Sequence, residues 1–237
     1  MASAAILTIG DELLAGDVEN TNGTWLAQRL ERLGLAVRLI AVLPDEIEHI
    51  AGFLRAEAGR VDLVVVTGGL GGTPDDVTRE AVAAAFGVDQ VEYPEVAAAL
   101  RALFRRDPEY AARWARLPSG SRPLANPLGG APGFTLENVY VLPGLPAEMA
   151  AMFETVEEEL RGERPIGSWR RTYRTTESRI VGVLRDVGER HPTVRVGSYP
   201  SFGLAGSEVE VVVKSDDPDA LEAAAAWLEQ ALAEMSG

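Results

Sequence analysis

The chain has 237 residues, 46% of them hydrophobic, which permits one large domain or a large domain with a small one. Its formal net charge is −14, from 22 basic and 36 acidic residues, which argues against nonspecific nucleic-acid or anionic-membrane binding, since both rest on basic patches. It has no cysteine, and neither histidine (His49, His191) has a partner at motif spacing, so disulfides, thiolate chemistry and a His-ligated zinc are not expected.

Residues 4–9 form an apolar run that reads as a first strand, ending in Gly10-Asp11-Glu12-Leu13-Leu14. A helix capped by Thr21 or Asn22 should run to about residue 33, with Trp25, Leu26, Leu30 and Leu33 on one face and Gly34 as its stop. Residues 36–42 are a second strand. Asp45 is expected to cap a helix over about 46–58, with Ile47, Ile50 and Leu54 inward. Residues 63–66 (Leu-Val-Val-Val) suit a strand buried on both faces of a parallel sheet. Gly68, Gly69, Gly71 and Gly72 follow, then Asp75, Asp76 and Thr78, then a helix over about 77–86.

Strands alternating with helices predict an α/β fold: an open, mostly parallel sheet with helices on both faces. In such sheets ligands bind beyond the carboxyl ends of the strands. The glycine turn would bring backbone N–H groups and a helix start near an anion. A carboxylate repels phosphate unless a cation lies between them, so Asp75 and Asp76, with Asp11 and Glu12 on the same edge, point to Mg²⁺ or a similar metal. The turn is not a P-loop, because no Gly-Lys-Ser/Thr follows. Each piece also has a plain reading: glycine turns are common, an aspartate before a helix is often an N-cap, and Thr78 can be a helix-start hydroxyl.

Further along, 94–104 and 108–117 read as helices opened by prolines, and 119–133 as irregular chain with a short β excursion. Residues 134–136 and 139–142 should form a hairpin turning at Glu137-Asn138. Pro143-Gly144 is another strand-to-helix turn, leading to a helix over about 147–160 whose Met149, Met152, Phe153 and Val156 are core. Residues 162–167 read as a linker. The expected domains are therefore 1–163 and a small α+β module, 168–237, of strand, helix, two strands and helix. At that size a single core is marginal, so the module is expected to dock or dimerise. Arg170, Arg171, Arg174 and Arg179 read as a solvated surface balancing acidic neighbours. No apolar run reaches membrane-spanning length and there is no basic-then-apolar leader, so a cytoplasmic protein is expected.

Four ordered segments resemble the CinA (competence/damage-inducible protein A) family: Gly10-Asp11-Glu12-Leu13-Leu14 with Gly16 and Asn20-Thr21-Asn22; Thr67-Gly68-Gly69-Leu70-Gly71 with Asp75-Asp76-Val77-Thr78; Asn126 with Ala131-Pro132-Gly133; and Leu142-Pro143-Gly144-Leu145-Pro146 with Glu148-Met149. Gly72 stands where the family usually has proline, and Gly130 where threonine is frequent. The tail is similar to the family's KH-like module. The chain stops before the amidase domain of full-length bacterial members, so that activity is not carried over.

The resemblance implies a molybdopterin-binding fold of the MogA/MoeA type. It also implies ADP-ribose pyrophosphatase activity, yielding AMP and ribose 5-phosphate and needing a divalent metal (Mg, Co or Mn) and potassium. The alternative is a non-catalytic molybdopterin or nucleotide carrier. In the first reading Asp11 and Asp76 are catalytic, and Asp11, Glu12, Asp75 and Asp76 hold the metal, one of them instead serving as general base. Gly10, Asn22, Gly68, Gly69, Gly71, Gly72, Thr78, Asn126, Pro143 and Gly144 would contact a small phosphorylated ligand. Self-association as a dimer or trimer is implied as well.

Overall fold

The computed structural model describes residues 2–162, 164–203 and 206–234. The chain divides into two compact units, Met1–Glu163 and Arg164–Gly237. The first contains β1 (Ser3–Ile9), α1 (Asp11–Ala15), α2 (Thr21–Arg32), β2 (Ala36–Leu43), α3 (Ile47–Glu57), β3 (Leu63–Thr67), α4 (Thr78–Phe86) and β4 (Gln90–Glu92). It continues with α5 (Pro94–Leu103), α6 (Pro108–Ala112), β5 (Arg116–Pro118), β6 (Arg122–Leu124), β7 (Gly133–Leu136), β8 (Val139–Leu142) and α7 (Pro146–Val156).

The main sheet has the order β2-β1-β3-β8-β7-β6. Its first four strands are parallel, β7 runs antiparallel to β8, and β6 at the edge runs antiparallel to β7. The apolar runs of β1 and β3 are explained by their place: both lie inside the sheet, and Ile6, Leu7 and Val64 to Val66 have no exposed surface. Alternate residues face opposite sides. Ala5, Leu7, Ile9, Val64 and Val66 pack with Ile50 and Leu54 of α3 and Ala81 and Val82 of α4. Ala4, Ile6, Leu63 and Val65 pack with Leu26 and Leu30 of α2 and Met149, Met152 and Phe153 of α7. Two cores on two faces make this the doubly covered α/β sheet that the alternating pattern predicts.

The register aligns the strand ends that matter. Thr8 pairs with Thr67, Thr67 with Leu142, and Ile9 with Leu43. The turns after β1, β2, β3 and β8 therefore open on one edge. Strand order changes direction at β1, since β2 lies on one side of it and β3 on the other, and that is where such sheets leave a crevice.

Several local expectations are corrected. Asn20, not Thr21 or Asn22, caps α2, its side chain accepting from the Gly23 amide at 3.0 Å. Asp45 makes no cap bond to α3; it accepts the Asp11 amide instead. The helix expected over 108–117 stops at Ala112. A 3-10 turn (Arg113–Ala115) and β5 follow, and β5 pairs antiparallel with β4. The hairpin does turn at Glu137-Asn138. Glu137 adopts φ 51°, and the Asn138 side-chain amide donates to the Ala58 and Val61 carbonyls at 2.8 and 3.0 Å.

The second unit contains β9 (Gly167–Tyr173), α8 (Glu177–Arg190), β10 (Arg195–Gly203), β11 (Gly206–Ser215) and α9 (Pro218–Glu234). Its antiparallel sheet has the order β10-β11-β9. Its core joins Val209, Val211 and Val213 to Ile180 and Val187 of α8 and to Ala224, Leu228 and Leu232 of α9. The arginines of β9 and its following turn balance acidic neighbours as expected: Arg170 with Glu210, Arg171 with Glu229, Arg174 with Glu208.

Candidate functional site

The turns at the carboxyl edge of β1, β2, β3 and β8 enclose a cleft of about 720 Å³. Glycine makes their approach possible. Gly68 (φ +109°) ends β3 so close to β1 that an added Cβ would lie 2.3 Å from the Ile9 carbonyl oxygen. Gly69 (φ +63°) lies over Thr78, where a Cβ would sit 2.2 Å from Oγ1. Both conformations are ones side chains rarely adopt, so two strand ends and a helix start meet only because these residues lack Cβ.

Beyond Gly69 the turn is held by two buried or half-buried charges. The Asp76 carboxylate accepts the Gly71 and Thr73 amides, both at 2.8 Å, and the Thr73 hydroxyl. From the other side the Arg79 guanidinium donates to the Leu70 carbonyl at 2.7 Å and the Gly71 carbonyl at 2.8 Å. Arg79 is only 7% exposed. Burial lowers its pKa from the ordinary arginine value, opposed by the Glu80 and Asp76 carboxylates. An arginine in the first turn of a helix opposes the helix dipole; here its task is to grip the preceding turn.

A polar chain ties β3 to α2 and to the β8 turn. The Thr67 hydroxyl donates to the Pro143 carbonyl at 2.6 Å. The Asn22 side-chain amide donates to the Thr67 hydroxyl at 3.1 Å and to the Gly144 carbonyl at 2.7 Å. The other end of that side chain, Asn22 Oδ1, is buried without a hydrogen-bond partner. Gly144 approaches Gly68 as well: a Cβ on it would be 3.3 Å from the Gly68 Cα.

Carboxylates supply the charge on the wall. Glu12, Glu19, Asp45, Asp75, Asp76 and Glu148 all line the cleft, and no arginine, lysine or histidine does so among the described residues. Asp45 accepts the Asp11 amide at 3.1 Å. Its pKa is raised, first by burial and then by the charges of Asp11, Glu12 and Asp75, against the lowering effect of the Asp11 amide bond. Glu148 is oriented by the Asn126 side chain, which donates to it at 2.8 Å, and it lies over Gly130, where a Cβ would meet its carboxylate at 2.4 Å. Among the described residues no three Asp, Glu or His side chains are grouped as a ready metal-ligand set.

The structure distributes the residues expected from sequence as follows. Gly10, Glu12, Asn22, Gly68, Gly69, Gly71, Asp75, Asp76, Pro143 and Gly144 line the cleft; Asp11, Gly72, Thr78 and Asn126 do not. Asp11 stands exposed beside Asp45, linked to it through its amide. Thr78 is fully buried and donates its hydroxyl to the Gly68 carbonyl at 2.8 Å, the helix-start contact. Gly72 packs against Tyr110 and Trp114, and Asn126 acts through Glu148. Two of the glycine-turn amides are engaged internally, Gly68 with Leu142 and Gly71 with Asp76, so neither is free for a phosphate. Sequence reasoning missed Asp45, Glu148 and Trp114 as cleft-lining residues, and Arg79 as the grip on the glycine turn. Asp45 had the signal used for the other two turns, a carboxylate just past a strand, but its helix-start position supplied a sufficient local explanation.

Residues 5–162 match the family model described as "Probable molybdopterin binding domain", and residues 172–236 match "FAD synthase, middle domain". The CinA structure from Thermoplasma acidophilum, itself described as of unknown function, superposes with a TM-score of 0.64 at 32% identity, covering 67% of this chain and 98% of that one. The chain belongs to the CinA-like family. A protein of Archaeoglobus fulgidus is 38% identical over 216 residues, 89% of this chain and 93% of its own. A CinA-like protein of Frankia casuarinae is 37% identical over 93% of this chain but only 55% of its own length. This CinA-like chain therefore spans about half of the Frankia protein. Its cleft lies entirely within the stretch matched to the molybdopterin-binding domain.

Proposed function

We propose that this protein binds molybdopterin or a related phosphorylated nucleotide and serves as a binding module in molybdenum-cofactor metabolism. The observation that carries the reading is the cleft's place: it opens at the carboxyl ends of β1, β3 and β8 inside the stretch matching a molybdopterin-binding domain. Its volume of about 720 Å³ suits a ligand of that size. Asn22 Oδ1, buried and unpartnered, calls for an N–H, an O–H or a cation from a ligand.

A phosphate entering among these carboxylates needs a counter-charge. The residues fit a cation shared with the ligand, held by one or two of Glu12, Asp45 and Asp75 together with phosphate oxygens, as is usual for Mg²⁺. They do not fit a closed all-protein cage, for which three grouped ligands are lacking among the described residues. When bound, such a cation would offset the phosphate charge and favour the ionised form of Asp45.

A second reading is hydrolysis of ADP-ribose to AMP and ribose 5-phosphate. One observation favours it: Asp45 lines the cleft and its pKa is raised, as a general base requires. Calorimetry with molybdopterin, AMP and ADP-ribose, with and without MgCl₂, separates the two when run beside an assay for AMP release with Mg²⁺, Co²⁺ or Mn²⁺. Molybdopterin binding without turnover supports the binding module. Release of AMP from ADP-ribose that stops in Asp45→Asn supports the hydrolase. If none of the three ligands binds, both readings are rejected.

A further inference from the structure

The cleft has a second kind of surface. Phe104 and Trp114 line it together with Leu128, which is 60% exposed. Leu145, on the β8 turn, also lines it at 63% exposure. Exposed apolar groups gathered in a cleft whose charged lining is acidic mark a place where an apolar ligand surface docks.

Trp114 is the most constrained of them. Phe104 meets it edge to face with centroids 5.2 Å apart at 90°, and Tyr110 packs on it at 5.7 Å and 70°. Phe104 and Trp114 pack on the small core of α5, α6 and the 3-10 turn, built from Ala97, Leu100, Ala111, Ala112 and Ala115. Packing on that core explains one side of Trp114. It does not explain why the side chain also forms cleft wall, nor why its Nε1–H is buried with no acceptor. The N–H lies beside the glycine turn: a Cβ on Gly72 would be 3.0 Å from Nε1 and 2.1 Å from the Tyr110 hydroxyl.

We propose that Phe104, Trp114 and Leu128 seat the flat heteroaromatic ring of the ligand, with the Trp114 Nε1–H donating to a ring carbonyl or ring nitrogen. The proposal rests on the binding reading above and adds to it which end of the ligand lies where. The ring lies against the aromatic wall and the phosphate lies toward the glycine turn and the carboxylates. A pterin and a purine share the required chemistry, a flat ring with acceptors at its edge. A buried donor without a partner carries its full desolvation penalty, so an acceptor on the ring recovers more than a surface hydrogen bond would.

The test compares AMP and molybdopterin with ribose 5-phosphate, which keeps sugar and phosphate but has no aromatic ring, by calorimetry in MgCl₂. Trp114→Leu should weaken the ring-bearing ligands by about tenfold or more while changing ribose 5-phosphate by less than about twofold. Trp114→Phe, which keeps a ring and removes the N–H, should fall in between. It should also lose the change in tryptophan fluorescence that AMP or molybdopterin produces in the unmodified protein. A loss for AMP alone identifies a purine, and a loss for molybdopterin alone a pterin. Ring ligands binding both variants as they bind the unmodified protein would overturn the proposal. So would equal weakening of all three ligands, which points to a distorted cleft. An unmodified protein that binds no ring ligand instead overturns the binding reading itself.

Discussion

Asp76 lines the cleft and at the same time holds the turn that carries it. Its carboxylate is engaged by two amides and a hydroxyl of the segment it follows, and Arg79 pulls the same segment from below through two carbonyls. Replacing Arg79 with Met removes two charge-assisted bonds and leaves the turn carbonyls unpaired. Arg79→Met should therefore lower stability by about 2–4 kcal/mol in denaturant unfolding and weaken ligand binding as well. Asp45 leads to a different prediction. Its pKa is raised above 3.8 in the fold, so the folded state favours its protonated form. The stability this contributes is present below the unfolded pKa and is lost as pH rises through the folded one. Asn at this position still accepts the Asp11 amide but never ionises. The Tm of Asp45→Asn should match the unmodified protein below about pH 3.8 and exceed it increasingly above that. A constant offset across pH would show that Asp45 is not so perturbed.

At the scale of elements, what could be read in advance depended on how local the cause was. β1 and β3 were legible because burial on both faces demands unbroken apolar runs, and α7 because its Met149, Met152, Phe153 and Val156 recur at helical spacing. The 108–118 segment was not, because α6 ends where β5 finds a partner in β4, and strand pairing leaves no mark within the segment itself. The turn after β3 is the element most sensitive to substitution. Gly68→Ala must accept φ +109° and a Cβ 2.3 Å from a β1 carbonyl, and neither neighbour is a side chain that can swing away. We expect a loss of about 2–4 kcal/mol, read as a lower urea midpoint, and loss of ligand affinity because β1 and β3 cannot close together. Gly16→Ala serves as the control, since its positive φ faces open space and only the smaller backbone strain applies.

For the whole molecule, each of the two units has its own core, three clusters in the first and one in the second among the described residues. The cleft belongs to the first alone. Residues 1–163 made separately should unfold cooperatively by calorimetry and bind the same ligands within about twofold, since a domain with its own core is able to fold by itself. The second unit, at a size where one core is marginal, should have the lower Tm when made separately. A first unit that precipitates or loses affinity on its own would show that the division by compactness is not a division in stability.

Hydrophobic periodicity, glycine position and strand-helix alternation are local signals, and they were enough to identify the α/β sheet, its covered faces and the edge on which the cleft opens. They also brought Gly68, Gly69 and Asp75 to the right place, because a residue just past a parallel strand has nowhere else to be. Which of those residues face the cleft, and which hold it up, was settled only by folding. Thr78 turned inward to a carbonyl, Asn126 reached Glu148 across 22 positions, and Asp45 and Trp114 entered the wall from segments whose local roles already explained them. Side-chain direction and contacts between distant turns arise from packing, and no periodicity along the chain records them.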